Sequence, residues 1–237
     1  MKILVIIPCY NEQENILDTV HALQRHCPNV DCIVVNDCST DHSERILKEN
    51  RIPYLSLPCN LGIGGGVQAG YLYAKEKGYD ITVQMDGDGQ HDPAYLSQII
   101  APLLSNQADM VVGSRFLEKK GFQTSFARRM GIRLLSNLIY ILTGKRVLDV
   151  TSGYRACNKR LTEFYAENYA QDYPEPEAII SAVLNGFAVK EVAVEMRERQ
   201  GGISSIRAFS SVYYMVKVSI ALIAYRLIIS KKGGSIS

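Results

Sequence analysis

Short apolar runs alternate with helical patterns through the first half of the chain. The strand-like runs occupy residues 3–7, 32–35, 54–57, 81–85 and 110–112. Mostly between them, apolar residues recur at helical spacing, as in Ile16, Val20 and Leu23 and again in Leu96, Ile99, Ile100 and Leu103. This alternation predicts an α/β fold with a mainly parallel sheet, which helices cover on both faces through right-handed crossovers.

Capping signals precede three of the predicted helices. Asn11 with Glu14 three residues later resembles a capping box, and Asp41 with Glu44 repeats the pattern. Asp92-Pro93 is typical of a helix start, with an N-cap residue followed by proline at the first helical position. We therefore expect helices to begin close to these three positions.

Polar residues follow the ends of the predicted strands. In a mainly parallel sheet these ends meet at one edge, where such folds bind ligands. A random distribution of loop residues would also place some polar side chains there. The segments concerned are 8–12, 36–37, 59–60, 86–88 and 113–115.

The stretch 84–93 carries the clearest candidate chemistry. Asp86 and Asp88 stand one glycine apart, directly after an apolar run. Mg²⁺ and Mn²⁺ favour carboxylate oxygens and commonly share their coordination with substrate phosphates. The alternative is an ordinary acidic turn, because Asp-Gly pairs are common in turns. From these residues alone, both interpretations stay open.

The glycine-rich segment 62–70 satisfies a loose dinucleotide-binding fingerprint, G-x-G-x-x-A, in residues 64–69. That fingerprint belongs in the first strand-to-helix turn, whereas this segment follows the third strand. We therefore assign the glycines to a flexible turn and to close helix packing.

Length and cysteine content favour a single domain with reduced thiols. A chain of 237 residues can bury a substantial core. Its six cysteines form no Cys-x-x-Cys pair and show no spacing suited to zinc, as in reduced cytosolic proteins. Met1-Lys2 leads directly into an apolar run, so we expect no secretory signal peptide.

The formal net charge of +2 conceals an uneven distribution. Residues 115–146 hold eight Lys/Arg and one Glu, and residues 201–237 hold five Lys/Arg and no acid. The rest of the chain holds 13 Lys/Arg and 23 Asp/Glu. Because both basic segments also carry long aliphatic runs, they fit an anionic lipid surface, and we expect no nucleic-acid partner.

The two basic segments predict amphipathic helices. In the first, three arginines precede a run of leucines and isoleucines at 134–142; the alternative is a solvated basic face over core leucines. In the second, Lys217 and Arg226 interrupt the apolar stretch 209–229, which favours a peripheral helix over a membrane span. An oligomer interface or a packing helix would show the same pattern. The arginines of the first segment are Arg128, Arg129 and Arg133.

Several motifs together resemble the family 2 glycosyltransferases, which have a GT-A fold. Thr151-Ser152-Gly153-Tyr154-Arg155 and residues 199–205 are similar to the branch with the dolichyl-phosphate mannose synthases and the bacterial polyprenyl-phosphate glycosyltransferases. The resemblance covers residues 1 to about 207, with a nucleotide-sugar half at 1–118, an acceptor half at 119–207 and a membrane-associated tail at 208–237. The earlier motifs, in order, are Pro8-Cys9-Tyr10-Asn11-Glu12, residues 34–41, Asn60-Leu61-Gly62, residues 86–91 and Gly113-Ser114-Arg115.

The resemblance implies a role for each of these motifs on the donor side. Asp37 would accept a hydrogen bond from a nucleobase N–H, and Asn36 stands where the family usually has a second acid. The acidic stretch would meet Mg²⁺ or Mn²⁺ through Asp86, Asp88 and Gln90, while His91 more simply forms a local hydrogen bond. The implied nucleotide-binding residues are Pro8, Tyr10, Glu12, Asp37 and Asp86.

On the acceptor side the resemblance implies three arginines and a serine that hold phosphates. They are Arg115, Arg129, Arg199 and Ser204, and Asp88 and Arg115 would also act in catalysis. A hydroxyl acceptor needs a base, for which Glu177 or Glu175 is the candidate; a turn between prolines is the alternative. A phosphate monoester has a second pKa of about 6 and needs no strong base.

The implied activity is a metal-dependent, inverting transfer of a sugar from a UDP- or GDP-sugar to a polyprenyl phosphate at the cytoplasmic membrane face. The alternatives are elongation of a lipid-linked or polysaccharide hydroxyl and a non-catalytic nucleotide-binding partner of a membrane complex. A homo-oligomer formed through the C-terminal helices is a further expectation. An NAD-dependent oxidoreductase is a distant third class, which nicotinamide cofactor titration would test.

Overall fold

A computed structural model describes residues 1–118, 126–197 and 210–233 of the chain. Within these ranges, seven strands form one sheet in the order β3-β2-β1-β4-β6-β5-β7. The strands are β1 (Ile3–Cys9), β2 (Asp31–Asn36), β3 (Tyr54–Ser56), β4 (Ile81–Gln84), β5 (Met110–Ser114), β6 (Arg155–Asn158) and β7 (Val189–Ala193). The helices are α1 (Ile16–His26), α2 (Ser43–Glu49), α3 (Gly62–Lys77), α4 (Leu96–Leu104), α5 (Phe126–Thr143), α6 (Lys159–Glu167), α7 (Pro174–Leu184) and α8 (Ser210–Gly233).

The sheet is parallel except at one strand. β1 pairs in parallel with β2 and β4, and β3 extends the same arrangement. β6 lies between β4 and β5 and runs antiparallel to both, so that Arg155 pairs with Gln84 at the end of β4 and with Val112 in β5. The five predicted strands are confirmed. The structure adds β6 and β7, and the loop before β6 joins the edge where the parallel strands end.

Helices cover both faces of the sheet, as the sequence predicted. Alternate residues of β1 face opposite sides: Leu4 and Ile6 pack in one core, and Val5 and Ile7 pack in the other. The first core includes residues of α3, α5, α6, α7 and α8, and the second includes residues of α1, α2 and α4. Burial on both faces explains why β1 is a continuous apolar run instead of an alternating one.

The capping predictions had different outcomes. The Asn11–Glu14 capping box is wrong, because α1 begins at Ile16 and the Asn11 side chain accepts a hydrogen bond from the Thr40 backbone N–H at 2.8 Å. Asn11 has a positive φ of 55°, which asparagine tolerates better than most residues. Asp92 does cap a helix start: its carboxylate accepts from the Ala94 N–H at 3.0 Å, and a 3₁₀ turn at Pro93–Tyr95 leads into α4.

The glycines of α3 serve close packing, as predicted. A Cβ on Gly64 would collide with the backbone oxygens of Ala170 and Gln171, and a Cβ on Gly70 would collide with Ile6 of β1. Helix α3 can therefore approach both the sheet and the 170–171 segment only because these positions lack side chains.

Helix α8 packs on the rest of the protein through one face. Val218 and Leu222 are fully buried, and the Tyr225 hydroxyl donates to Ser181 Oγ of α7 at 3.0 Å. Among the helices of the described residues, none is long and apolar enough to cross a membrane.

Candidate active site

The acidic loop after β4 lies against the loop that precedes β6. The Asp86 carboxylate faces Gly153 so closely that a Cβ on this glycine would lie 2.8 and 2.9 Å from the two carboxylate oxygens. A side chain at this position would displace the Asp86 carboxylate. The motif at residues 151–155 thus meets the acidic pair, although the two are more than sixty residues apart in sequence.

A tight turn orients the other two predicted metal ligands. The Asp88 carboxylate accepts from the Gln90 N–H at 3.0 Å, and Gly89 between them has a φ of +76°. The Gln90 carbonyl in turn accepts from the Arg197 N–H at 2.9 Å, which anchors the loop to the segment after β7. Asp86, Asp88 and Gln90 therefore belong to one braced loop.

His91 stabilises this loop through a buried ring. Its ring is buried, stacks on Tyr154 with a centroid distance of 4.9 Å, and accepts through Nδ1 from the Asp86 N–H at 2.9 Å. Burial lowers the pKa of His91 to about 4, so the ring is neutral at physiological pH with its proton on Nε2. These contacts support the local role expected for this residue.

The Asp86 side chain is 36% exposed, yet its surroundings disfavour the charge of its carboxyl group. Burial raises its pKa to about 6, with a further contribution from Glu12, while Gln84, Arg155 and Arg115 oppose the shift. The Gln84 amide is buried, and its Oε1 accepts from the Tyr169 hydroxyl at 3.5 Å. A cation beside Asp86 would relieve this charge.

The acidic loop suits a cation that substrate phosphates help to coordinate. Within the described residues, no group of three or more His, Cys, Asp or Glu side chains converges as a complete metal site. Mg²⁺ and Mn²⁺ commonly take only one or two carboxylates from the protein and complete their coordination with phosphates. The two carboxylates and the Gln90 amide fit such a partial site.

Asp37 and Asn36 connect the loops where the sequence predicts the nucleotide. The Asp37 carboxylate is buried and accepts from the Leu61 N–H at 2.7 Å. The Asn36 amide is fully buried, donates to Ser56 Oγ at 3.3 Å and accepts from the Ser39 N–H at 3.3 Å. The Asn36 amide thus joins β3 to the loop after β2 through one donated and one accepted hydrogen bond.

The predicted nucleotide residues after β1 line a rim with the loop after β2. The Glu12 N–H donates to Ser43 Oγ at 2.9 Å, and its carboxylate accepts from Asn15 Nδ2 at 2.8 Å. Tyr10 is 48% exposed, and Pro8 lies in β1. The structure thus brings Tyr10, Glu12 and Asp37 to the edge that also carries the acidic loop.

Arg115 forms a buried ion pair that the sequence did not predict. Its guanidinium donates to both Asp149 oxygens at 2.7 Å and to Thr151 Oγ1 at 3.2 Å. Asp149 is fully buried, and Glu191 of β7 accepts from the Leu148 and Asp149 N–H groups at 2.8 and 2.9 Å. The one available signal was an isolated acid in the apolar stretch before the Thr-Ser-Gly motif.

Arg155 connects the same motif to the start of α7. It is 1% exposed, and its guanidinium donates to the carbonyl oxygens of Ser152 and Glu175 at 2.6 Å and of Val150 at 3.2 Å. Three backbone carbonyls thus accept hydrogen bonds from the buried Arg155 guanidinium. Its sequence motif was noted, but Arg155 itself was not a predicted site residue.

The two candidate bases occupy different surroundings. Burial and, to a smaller extent, Asp86 raise the pKa of Glu175, while Arg155 and Arg128 oppose the shift. Burial and Asp172 raise the pKa of Glu177 to about 7. The main charge acting on Glu175 is thus Arg155, whereas the charge acting on Glu177 is Asp172.

The predicted phosphate-binding residues are only partly described. Arg129 is half-buried in α5, and its neighbour Arg128 is exposed and acts on Glu175. Arg199 and Ser204 lie outside the described residues.

Comparisons with known proteins point to one family. The model of Glycosyl transferase family 2 matches residues 4–166. The chain is 30% identical, over 92% of its length and 86% of the other, to the polyprenol monophosphomannose synthase of Mycolicibacterium smegmatis. It is 32% identical, over 81% of its length and 84% of the other, to the UDP-N-acetylglucosamine–dolichyl-phosphate N-acetylglucosaminyltransferase of Methanococcus voltae.

The fold also matches a solved glycosyltransferase. The crystal structure of glucosyl-3-phosphoglycerate synthase from Mycobacterium tuberculosis, in complex with Mn²⁺, UDP and phosphoglyceric acid, superposes with a TM-score of 0.72 at 22% identity. The match covers 95% of this chain and 78% of that one. The predicted GT-A fold is confirmed.

Proposed function

The chain belongs to glycosyl transferase family 2 and is a glycosyltransferase, and from this premise we propose that it moves a sugar from a UDP- or GDP-sugar to the phosphate of a polyprenyl phosphate. The transfer takes place at the cytoplasmic face of the membrane and inverts the anomeric centre.

One observation carries the choice of acceptor. The two relatives described above are named for different sugars, mannose and N-acetylglucosamine, but both names specify a polyprenol-type lipid joined through phosphate. The lipid phosphate is shared while the sugar changes. We therefore assign the acceptor class to this chain and leave the sugar to experiment.

The donor is held along the edge from β2 to β4. Asp37, Glu12 and Tyr10 border the nucleotide, and Asp86, Asp88 and Gln90 would hold Mg²⁺ or Mn²⁺ at its diphosphate. When bound, the cation neutralises the charge that develops on the departing nucleoside diphosphate. Gly153, His91 and Arg197 contact the loop and fix it. These contacts keep the proposed metal ligands in place for this role.

The acceptor needs no strong base. Its phosphate is largely a dianion at neutral pH, because the second pKa of a phosphate monoester is about 6. A phosphate oxygen attacks the anomeric carbon, the bond from that carbon to the donor phosphate breaks, and the nucleoside diphosphate leaves with the electron pair. Arg115, fixed by Asp149, lies at the end of β5 and is proposed to stabilise a phosphate at this step.

Exposed apolar side chains support a location at the lipid surface. On α5, Leu134 and Ile141 are 54% and 76% exposed, and on α8, Ile220 and Leu227 are 62% and 60% exposed. Arg133, Lys217 and Arg226 lie on the same two helices. Apolar side chains beside basic groups suit a membrane surface with anionic headgroups.

A transfer assay tests this function. Purified protein with Mn²⁺, a panel of UDP- and GDP-sugars and undecaprenyl phosphate should yield a glycolipid from at least one donor. Asp88→Ala should reduce the rate at least about 100-fold, as expected for lost stabilisation of the leaving group. Glu163→Gln removes an exposed acid on α6 and should leave the rate unchanged. No glycolipid with any donor, together with extension of a lipid-linked saccharide, would overturn the acceptor assignment.

One observation favours a second candidate function, elongation of a lipid-linked or polysaccharide hydroxyl. Glu177 has a pKa of about 7 and could remove a proton from a hydroxyl at neutral pH. Glu177→Gln separates the two functions, because it should abolish transfer to a hydroxyl and spare transfer to a phosphate.

A further inference from the structure

We propose that Glu191 is a positioning residue for sugar transfer, because it fixes the bridging segment, residues 147–153, which places Arg115 relative to the acidic loop. Glu191 lies on β7, the strand at one edge of the sheet. The inference rests on the proposed function, since it takes Arg115 to stabilise a phosphate during transfer. It adds to that site a residue that acts on the reaction through its neighbours.

The bridging segment depends on side chains from other parts of the chain for its position. It contains no helix or strand, although most of its residues are buried. The Val147 carbonyl accepts from Ser136 Oγ of α5, and the Val150 and Ser152 carbonyls accept from Arg155 at 3.2 and 2.6 Å. Buried backbone groups outside regular secondary structure need such partners, so these side chains determine where the segment lies.

Glu191 supplies two of these partners with one carboxylate. Its Oε2 accepts from the Leu148 N–H at 2.8 Å, and its Oε1 accepts from the Asp149 N–H at 2.9 Å. Hydrogen bonds to an ionised acceptor are shorter and stronger than those between neutral groups, and a contact through two atoms also fixes orientation. The carboxylate thus holds the start of the bridging segment against the edge strand.

The bridging segment connects Arg115 with the Asp86 carboxylate. Asp149 accepts from Arg115 Nε and Nη2, both at 2.7 Å, and Thr151 Oγ1 accepts from the same guanidinium at 3.2 Å. Four residues after Asp149, Gly153 lies against the Asp86 carboxylate. Releasing the Asp149 end of the segment would therefore displace Arg115 relative to Asp86.

Kinetics of Glu191→Gln test the inference. The amide keeps one oxygen that accepts a hydrogen bond, but its NH₂ group meets the second backbone N–H, so the two bonds cannot both form. We expect kcat to fall at least about tenfold, because a displacement of about 1 Å can reduce a rate about 100-fold. The Kd of UDP with Mn²⁺, measured by titration calorimetry, should change less than about twofold, since the contact acts on the transition state. The stoichiometry of the titration counts the folded protein, to which kcat is normalised.

Asp109→Asn is the matched control. The Asp109 carboxylate accepts from the Ala188 N–H at 2.7 Å and so contacts the backbone just before β7, but at the opposite end of β5 from Arg115. This variant should lower the melting temperature and leave kcat unchanged. An equal loss of kcat in Asp109→Asn and Glu191→Gln, or an unchanged kcat in Glu191→Gln, would overturn the inference.

A double variant shows whether Glu191 acts through Arg115. Arg115→Lys keeps a positive charge beside Asp149 but loses the planar guanidinium that contacts both carboxylate oxygens. In Arg115→Lys, the further change Glu191→Gln should lower kcat by less than about twofold, because residues that act as a unit have non-additive effects. The full tenfold loss in both proteins would overturn the inference. If wild type extends a lipid-linked saccharide and leaves undecaprenyl phosphate unmodified, the acceptor assignment fails, and the same comparison of kcat with that saccharide decides the role of Glu191.

Discussion

Glycine at position 153 is the residue that allows the acidic loop and the loop before β6 to meet. The Asp86 carboxylate occupies the space that a side chain at this position would take. His91 Nδ1 accepts a hydrogen bond from the Asp86 backbone N–H. The orientation of the Asp86 carboxylate, a proposed metal ligand, thus depends on two neighbours that carry no charge.

Gly153→Ala should therefore reduce activity much more than stability. The added methyl group displaces the Asp86 carboxylate, and a displacement of about 1 Å at a reacting centre can reduce the rate about 100-fold. We expect at least a tenfold loss of kcat, measured by glycolipid formation at saturating Mn²⁺. A melting temperature that falls steeply in the variant would contradict this separation of activity from stability.

Removing the charge of Asp149 should destabilise the protein strongly. Asp149→Asn leaves the Arg115 guanidinium, which is 8% exposed, without its buried partner. Losing one member of such a pair reduces stability by about 3–5 kcal/mol, measured as the free energy of unfolding in urea. Glu49→Gln, which breaks an exposed pair with Arg45, is the control and should leave the urea midpoint almost unchanged.

Glu177 should make stability decrease with pH. Burial raises its pKa from 4.5 to about 7, so the folded protein binds this proton more tightly than the unfolded chain. The stability that this bound proton contributes is fully present below pH 4.5 and is lost as pH rises through about 7. Glu177→Gln should match wild type near pH 4 and become relatively more stable toward pH 8, measured by melting temperature with EDTA present. An equal difference at both pH values would show that the effect is not this ionisation.

At the scale of single elements, the spacing between α3 and the sheet depends on one glycine. A Cβ on Gly70 would collide with Ile6, whereas a Cβ on Gly66 would meet nothing closer than 4.0 Å. Gly70→Ala should destabilise the protein by about 1–3 kcal/mol through overpacking. Gly66→Ala places the same methyl group in the same helix and should be neutral or stabilising, because alanine favours helices. Urea unfolding of the two variants measures the difference.

Local sequence predicted the first five strands better than β6 and β7. β1 and the centre of β2 are continuous apolar runs because they are buried on both faces. β6 reads Arg-Ala-Cys-Asn, and its first residue is a buried arginine that neighbouring carbonyls solvate. Its strand conformation follows from pairing with β4 and β5, which a short segment does not encode by itself.

The sequence likewise predicted some residues of the site and not others. The acidic pair and Asp37 could be predicted to converge because the ends of parallel strands meet at one edge. The Arg115–Asp149 pair joins residues 34 positions apart, and β6, which runs antiparallel, begins just beyond it. Glu175 and Glu177 both lie in the first turn of α7, and only the packed structure shows that their surroundings differ.

For the whole molecule, the sheet separates two helical layers with different surfaces. α5 and α8 pack in one core and expose apolar side chains outward, whereas α4 belongs to the opposite core. The site opens at the edge of the sheet between these layers. A lipid acceptor held against the α5–α8 layer would present its phosphate toward that edge.

Leu134→Glu combined with Ile220→Glu should release the protein from lipid. Both side chains are more than half exposed on the α5–α8 layer, and burying each in a lipid interface contributes about 1.5–3 kcal/mol. Partitioning onto vesicles rich in phosphatidylglycerol, measured by co-sedimentation, should fall at least about tenfold without a change in melting temperature. Leu104→Glu is the matched control, because Leu104 is 49% exposed on α4 in the opposite layer. Two results would show that this layer contacts protein instead of a membrane. One is unchanged partitioning of the double variant. The other is a wild-type protein that is dimeric without lipid while the double variant is monomeric.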